Sequence, residues 1–298
     1  MNSIRTLLAS IVDYAGLFPP STLDMSAAVR NYAAYRRGED SWMLGRFIVP
    51  VSRLVEFEEA IQVIARRSGE PWRLSALGGN TLKEDGVAII AFNKRQTDQR
   101  GEGLAVIDTL EVKASTIKEI ESAARFAPSS LTTYFEVPVE PDPSPLIEAI
   151  SEVGARAKVR TGGVTADAFP SSISLARFIC ACADAGVPFK ATAGLHHPIR
   201  STYRLTYDPA SPTGMMFGFL NVFIAAGVAL AGGHPNDVVA ALEEQSPSAF
   251  HFDGNEITWR GHRIGLLQIG SVRSELAIAF GSCSFVEPLE DLKSLKLL

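Results

Sequence analysis

Short apolar runs alternate with longer stretches of helical periodicity along most of this chain, and that alternation is what most constrains its fold. Parallel strands cannot be joined by a tight turn; they need a crossover, usually a helix, so a repeated strand-then-helix pattern points to parallel βα units. Strand candidates are residues 10–15, 45–50, 72–77, 104–113, 131–137, 157–161 and 188–193. Helical patterns follow at 25–37, 54–67, 116–126, 145–153 and 172–185, the last stopped by Gly186. Residues 86–92 read as a short strand or a buried helical turn, and 93–103 as an exposed loop. A long loop is expected at 194–214, then an apolar helix and a second helix at 237–244. Residues 249–259 read as a hairpin around Asp253-Gly254-Asn255, 272–280 as helical, and the last residues as a terminal helix. An eighth strand lies either in the hairpin or just before Gly281. The fold expected is a TIM-type (β/α)8 barrel with an added C-terminal hairpin, one domain over residues 1–298. The rival, a doubly wound open sheet, finds no GxGxxG or GxxxxGK[ST] phosphate loop in the sequence.

Composition narrows the partners. The net charge of -5 argues against a nucleic-acid surface, which needs a basic stripe to displace counterions. The longest apolar stretch, 215–233, is rich in Gly and Ala and holds Asn221, so a buried barrel helix is expected there rather than a membrane span. The N-terminus lacks the apolar run of a signal peptide. Cys180, Cys182 and Cys283 form neither a CxxC pair nor a zinc spacing. Reduced thiols in a cytoplasmic protein are the simplest reading.

The informative residues sit at strand ends. Residues two apart on a strand share a face, so Glu111 pairs with Lys113, Tyr134 with Glu136, Lys158 with Arg160, and Lys190 with Thr192. Apolar neighbours occupy the opposite face and must pack on helices. The charged side then faces the barrel interior near its C-terminal mouth, where barrel active sites are built. Buried charges are costly unless paired, so such a cluster calls for a function or an ion-pair network. Four positive and two negative charges favour a small anionic substrate. Burial beside another cation is expected to lower a lysine pKa and free an amine for Schiff-base chemistry, with Glu136 or Glu111 relaying protons.

Lys158-Val159-Arg160-Thr161-Gly162 and Phe189-Lys190-Ala191-Thr192-Ala193-Gly194 lie one βα unit apart. At these residues the chain resembles the deoxyribose-phosphate aldolase type of class I aldolase, which has a lysine before Thr-Gly on one strand and a second lysine before small residues on the next. The resemblance implies that Lys158 forms the Schiff base and that Lys190 lowers its pKa, with no cofactor. It also implies a weak phosphate loop at Gly281, Ser282 and Ser284, around Cys283. Arg160 and the pair His196-His197 stand outside the family pattern, and Asp108 is the nearest candidate for the family's relay aspartate.

Further candidates for substrate binding are Arg46, Lys113, Arg160, Thr161, Gly162, Thr192, His196, His197, Asp13 and Tyr14, with Arg200 beside the histidines. The histidines with Glu111, Glu136 or Asp13 offer an alternative, a divalent-metal lyase or hydrolase. A third reading is a barrel that binds an anionic metabolite without turnover. Cys283 is read as a small packed residue, and residues 250–259 as a lid or a homo-oligomer contact.

Overall fold

A computed structural model describes residues 2–64, 70–79, 81–97 and 103–298. Eight parallel strands close into a barrel: β1 (Val12–Tyr14), β2 (Leu44–Pro50), β3 (Trp72–Leu77), β4 (Ala105–Lys113), β5 (Thr132–Glu136), β6 (Arg156–Arg160), β7 (Phe189–Thr192) and, last in the chain, β13 (Ala277–Ser282). Each strand pairs with its predecessor, and β13 closes the ring between β7 and β1. Closure leaves no free sheet edge and obliges alternate residues to point inward. The expected (β/α)8 architecture is the observed one.

Helices α2 (Met25–Tyr35), α3 (Leu54–Ile64), α4 (Leu82–Thr97), α5 (Ile117–Phe126), α6 (Ser144–Glu152) and α7 (Ser172–Asp184) follow strands in turn, behind a short N-terminal α1 (Ser3–Leu8). The start of α5 is written in its sequence. Thr116 caps the Glu119 amide, and Glu119 answers through its side chain, a reciprocal capping box. Gly186 ends α7 at a φ of +63°, where an L side chain would be strained.

The connection between β7 and β13 holds the extra structure. It contains an antiparallel pair, β8 (Ser201–Arg204) with β9 (Thr213–Met216), then α8 (Phe219–Leu230) and α9 (Pro235–Glu243). A three-stranded antiparallel sheet follows, β10 (Phe250–Phe252), β11 (Glu256–Trp259) and β12 (His262–Gly265). Then come α10 (Leu266–Ser271), a turn of π-helix over Val272–Leu276, and, after β13, a final α11 (Val286–Ser294). The expected loop at 194–214 thus carries the β8–β9 ribbon, and the expected hairpin gains a third strand.

In two segments one of the open alternatives is the observed one, a helical 86–92 and an eighth strand at Gly281, while the neighbouring expectation differs. Residues 86–92 and the first part of the expected loop at 93–103 belong to one helix, α4. Ile89 and Phe92 are buried on its inner face while Lys94 and Arg95 close its last turn, a 3.6-residue period hidden by the continuous apolar run. Residues 98–102, and the expected end of the second helical pattern at 65–67, lie outside the described residues. The expected helix at 272–280 stops at Leu276, and Ala277–Ser282 is the eighth strand. Phe280 stacks on Phe219 of α8 at 4.9 Å while Gly281 faces the mouth, the in-and-out alternation of a strand.

The apolar α8 is buried against its neighbours because it is hydrophobic all round. Its one polar side chain, Asn221, is fully satisfied. It donates to the Ala241 and Glu244 carbonyls, both at 2.8 Å, and accepts from the Arg200 amide at 2.8 Å. Among the described residues no helix is long and apolar enough to cross a membrane.

Candidate active site at the barrel mouth

The barrel interior is ionic in its middle layer. Glu136 pairs in register with Lys158, and Lys158 with Lys190, so three neighbouring strands carry charge at one level. Lys158 Nζ lies 2.7 Å from Glu111 Oε2 and 2.9 Å from Glu136 Oε2. Lys190 Nζ lies 2.7 Å from Glu111 Oε1 and also pairs with Asp13 Oδ2. Glu111 therefore bridges the two ammonium groups. The Ser75 hydroxyl donates to the same Glu111 Oε1 at 2.6 Å, and the Arg46 amide donates to Asp13 Oδ1 at 2.6 Å. All five charged residues are buried.

These contacts correct the expected electrostatics. The buried network is two ammoniums and three carboxylates, because Asp13 belongs to it and Lys113 and Arg160 do not. Burial by itself would push the Lys158 ammonium down, but the charges of Glu111 and Glu136 outweigh it and hold its pKa above the ordinary lysine value. Lys190 follows the same logic, with Asp13 and Glu111 outweighing burial. For Glu111, burial pushes upward, but Lys158 and Lys190 together hold its carboxyl well below the usual carboxylate range. The second lysine does not depress the first, because a carboxylate stands between them.

Above this layer opens a cavity of about 310 Å³. Glu111, Glu136 and Lys158 form its polar floor; Phe18, Ile48 and Leu77 supply apolar wall. Lys113 and Arg160 are exposed at the rim, with Arg160 3.8 Å from Glu136 Oε1. Thr192, His196, Gly281 and Cys283 also line it. An adjoining groove of about 530 Å³ shares Lys113, Glu136 and Arg160 and runs out past Ser115 and Ser171. The arrangement presents a buried amine and two carboxylates to a small molecule, with two cations at the entrance.

Several expected site residues stand elsewhere. Arg46 lies low in β2 and is held by Asp108 at 2.6 Å, which also holds Arg73 at 2.6 Å; both Arg46 and Asp108 are thus engaged away from the mouth. Tyr14 points outward from β1 into an aromatic cluster with Tyr35 and Phe47, at ring distances of 5.4 and 5.9 Å. Thr161 donates its hydroxyl to the Ala193 carbonyl at 2.6 Å and ties the ends of β6 and β7 together. Ser282 and Ser284 are consumed locally. The Ser284 amide donates to Ser282 Oγ at 3.3 Å, and Ser284 Oγ accepts from the Glu287 amide at 3.1 Å. The Glu287 carboxylate beside this turn opposes a phosphate there.

His196 faces the cavity, but His197 turns away, paired with Asp291 at 2.6 Å and stacked on Tyr203 at 3.5 Å. Glu111 and Glu136 are engaged by lysines, and among the described residues no group of three or more His, Cys, Asp or Glu side chains is arranged to hold a metal ion. The divalent-metal reading therefore finds no ligand set among the described residues. Ser75 and Glu287 were not among the sequence candidates. Ser75 carried one signal, a polar position between apolar neighbours near the C-terminal end of its strand; the long-range partners of Glu287 left none.

The mouth also depends on backbone shape. Gly194 has a φ of +71°, and a Cβ there would meet Phe169 Cε1 at 2.8 Å and the Gly162 Cα at 3.0 Å. Gly162 thus serves as packing space under Phe169 and is absent from the cavity wall. Gly194→Ala is expected to lower stability by about 1–2 kcal/mol, read as a shift in the urea midpoint at unchanged slope. A scan of family models finds none that matches the chain, and no curated protein matches it, so the chemistry of this site is read from its geometry alone.

Proposed function

We propose that the chain is a lyase of the aldolase type, acting on a small anionic carbonyl compound through a Schiff base on Lys158. The observation that carries this reading is the setting of that amine. It is buried on the floor of the mouth cavity with two carboxylates on its ammonium group. Lys113 and Arg160 at the rim suit a carboxylate or phosphate on the substrate. Free cysteines, with none in a disulfide, fit a reducing cytoplasmic setting.

Because Lys158 rests as an ammonium, the nucleophile has to be made within the site. Glu136 is the better proton acceptor, since Glu111 is already held by two lysines and Ser75. Glu136 takes a proton from Lys158, and the free amine forms a C–N bond to the substrate carbonyl carbon. The added nitrogen passes one proton to the new alkoxide, and protonated Glu136 then protonates that carbinolamine hydroxyl, which leaves as water and gives an iminium ion. The bond between the α and β carbons then breaks, its electron pair moving toward the iminium nitrogen, while the β-hydroxyl proton passes to Glu136. An aldehyde departs and an enamine remains. Glu136 protonates the enamine carbon, and water hydrolyses the resulting iminium, releasing the second product and the Lys158 ammonium.

Sodium borohydride in the presence of a panel of small aldehydes and ketones is expected to fix a reduced adduct on Lys158, found by peptide mass mapping. Lys158→Ala should take up none. An equal label on Lys158→Ala, or a label spread over surface lysines of the unmodified protein, rejects the Schiff-base reading.

A further inference from the structure

The mouth cavity holds a second nucleophile that the chemistry of Lys158 does not use. Cys283 follows β13 and lines the cavity. Its Sγ lies 3.8 Å from His196 Nδ1 and 3.4 Å from the Tyr207 hydroxyl. The same imidazole nitrogen is 3.3 Å from Glu287 Oε2, and Tyr207 donates to that carboxylate oxygen at 3.2 Å. These four groups come from the turn after β13, the loop after β7, the β8–β9 ribbon and α11. A nucleophile beside a base, with the base held by a third group, is the arrangement that activates a thiol. Cys283 also lines an outer groove of about 410 Å³ with Ser21 and Tyr207, so the residue stands between the cavity and that groove.

The electrostatics agree with this geometry. The ionisable groups facing the sulfur are His196, Tyr207, Glu287 and, from β1, Tyr14. Burial pushes the Cys283 thiol up, but His196, Ser21 and Tyr207 outweigh it and hold its pKa below the ordinary thiol value. Burial pushes the His196 imidazole down, but Cys283 and Glu287 raise it to about 9. At neutral pH His196 is therefore an imidazolium, and its charge favours the thiolate form of Cys283. The other two thiols provide a contrast: burial on α7 raises Cys180 and takes Cys182 well above the ordinary value.

We propose that Cys283 is a peroxide-reactive thiolate that a small hydroperoxide oxidises to a sulfenic acid, with His196 as proton donor. The thiolate attacks one peroxide oxygen, forming an S–O bond as the O–O bond breaks. The leaving hydroxide, or alkoxide from an alkyl hydroperoxide, takes the proton from His196 Nδ1 and departs as water or an alcohol, and the sulfenic oxygen keeps the proton it carried in the peroxide. Sulfur is oxidised by two electrons and the peroxide is reduced. A residue only 5% exposed admits a small uncharged oxidant more readily than a bulky or ionic one.

The full-length protein is treated with hydrogen peroxide in the presence of dimedone, and the adducts are mapped by peptide mass spectrometry. Dimedone is expected on Cys283 and not on Cys180 or Cys182. His196→Asn should slow adduct formation at pH 7 by about tenfold or more. The rate of iodoacetamide alkylation of Cys283 in the unmodified protein gives a second reading that needs no variant. Plotted against pH, it should inflect below the ordinary thiol value of 9.0. No dimedone on Cys283, an equal rate in His196→Asn, or an inflection at or above that value overturns the proposal. None of these readouts involves Lys158, so this proposal and the Schiff-base reading fail separately.

Discussion

Replacing Glu111 with alanine is expected to destabilise the protein by about 3–5 kcal/mol, measured by urea unfolding at pH 7. Glu111 is 1% exposed and holds both Lys158 and Lys190, so its removal leaves two buried ammonium groups short of a counter-charge. Such a loss is far larger than that of a surface ion pair, which water screens. The same group sets a pH window. The folded-state pKa of Glu111 lies below its ordinary value of 4.5, so its stabilisation is present above that value and is lost as pH falls toward the lower, folded one. Lys158 and Lys190 are shifted upward from 10.5; their contribution is complete below that value and is lost as pH rises through the folded ones. The unmodified protein should therefore lose stability steeply below about pH 4, and Glu111→Ala should lose less over the same interval. A Glu111→Ala protein within about 1 kcal/mol of the original, with an unchanged acid limb, would show that the ion network is not what holds this layer together.

Among variants that keep the Lys158 amine, Glu136→Gln carries the largest expected effect on chemistry. An ammonium with a pKa above 10.5 is free amine at pH 7 in less than about one molecule in a thousand, so an amine made by bulk deprotonation would gain about tenfold in rate per pH unit. Transfer to Glu136 leaves the total proton count of the site unchanged, and the rate of borohydride-trapped adduct formation should then be nearly flat from about pH 6 to 9. In Glu136→Gln the acceptor is gone while shape and hydrogen-bonding length are kept. Adduct formation at pH 7 should fall by about 10²–10³-fold and acquire the steep alkaline rise. A steep rise already in the unmodified protein would assign the proton to solvent and remove Glu136 from the mechanism.

The parts of the site that were legible in the sequence share one property: they depend on local geometry. Strand periodicity alone puts Glu111, Glu136, Lys158 and Lys190 on the interior face, because residues two apart on any strand point the same way. The partners of these charges were not legible. Asp13 and Lys190 meet only because β13 closes the ring beside β1 and β7, and that closure was hidden where a short alternating strand follows directly on a helical turn. Arg46 and Tyr14 show the converse error. Both were expected to bind substrate, Tyr14 at the mouth and Arg46 early in its strand, yet the barrel holds Arg46 low against Asp108 and turns Tyr14 outward.

Alternation of short apolar strands and amphipathic helices, by itself, determined that this chain is a parallel barrel with charge inside it. Periodicity is a property of consecutive residues, and it survives without knowledge of distant contacts. The tertiary structure alone decided how that charge is arranged: a carboxylate between two lysines where the strands taken one at a time suggested neighbouring cations. It alone brought Cys283 to His196 across 87 positions of sequence. The sign of a pKa shift depends on which opposite charge lies within a few ångströms, and that distance is fixed by chain closure rather than by spacing along the chain.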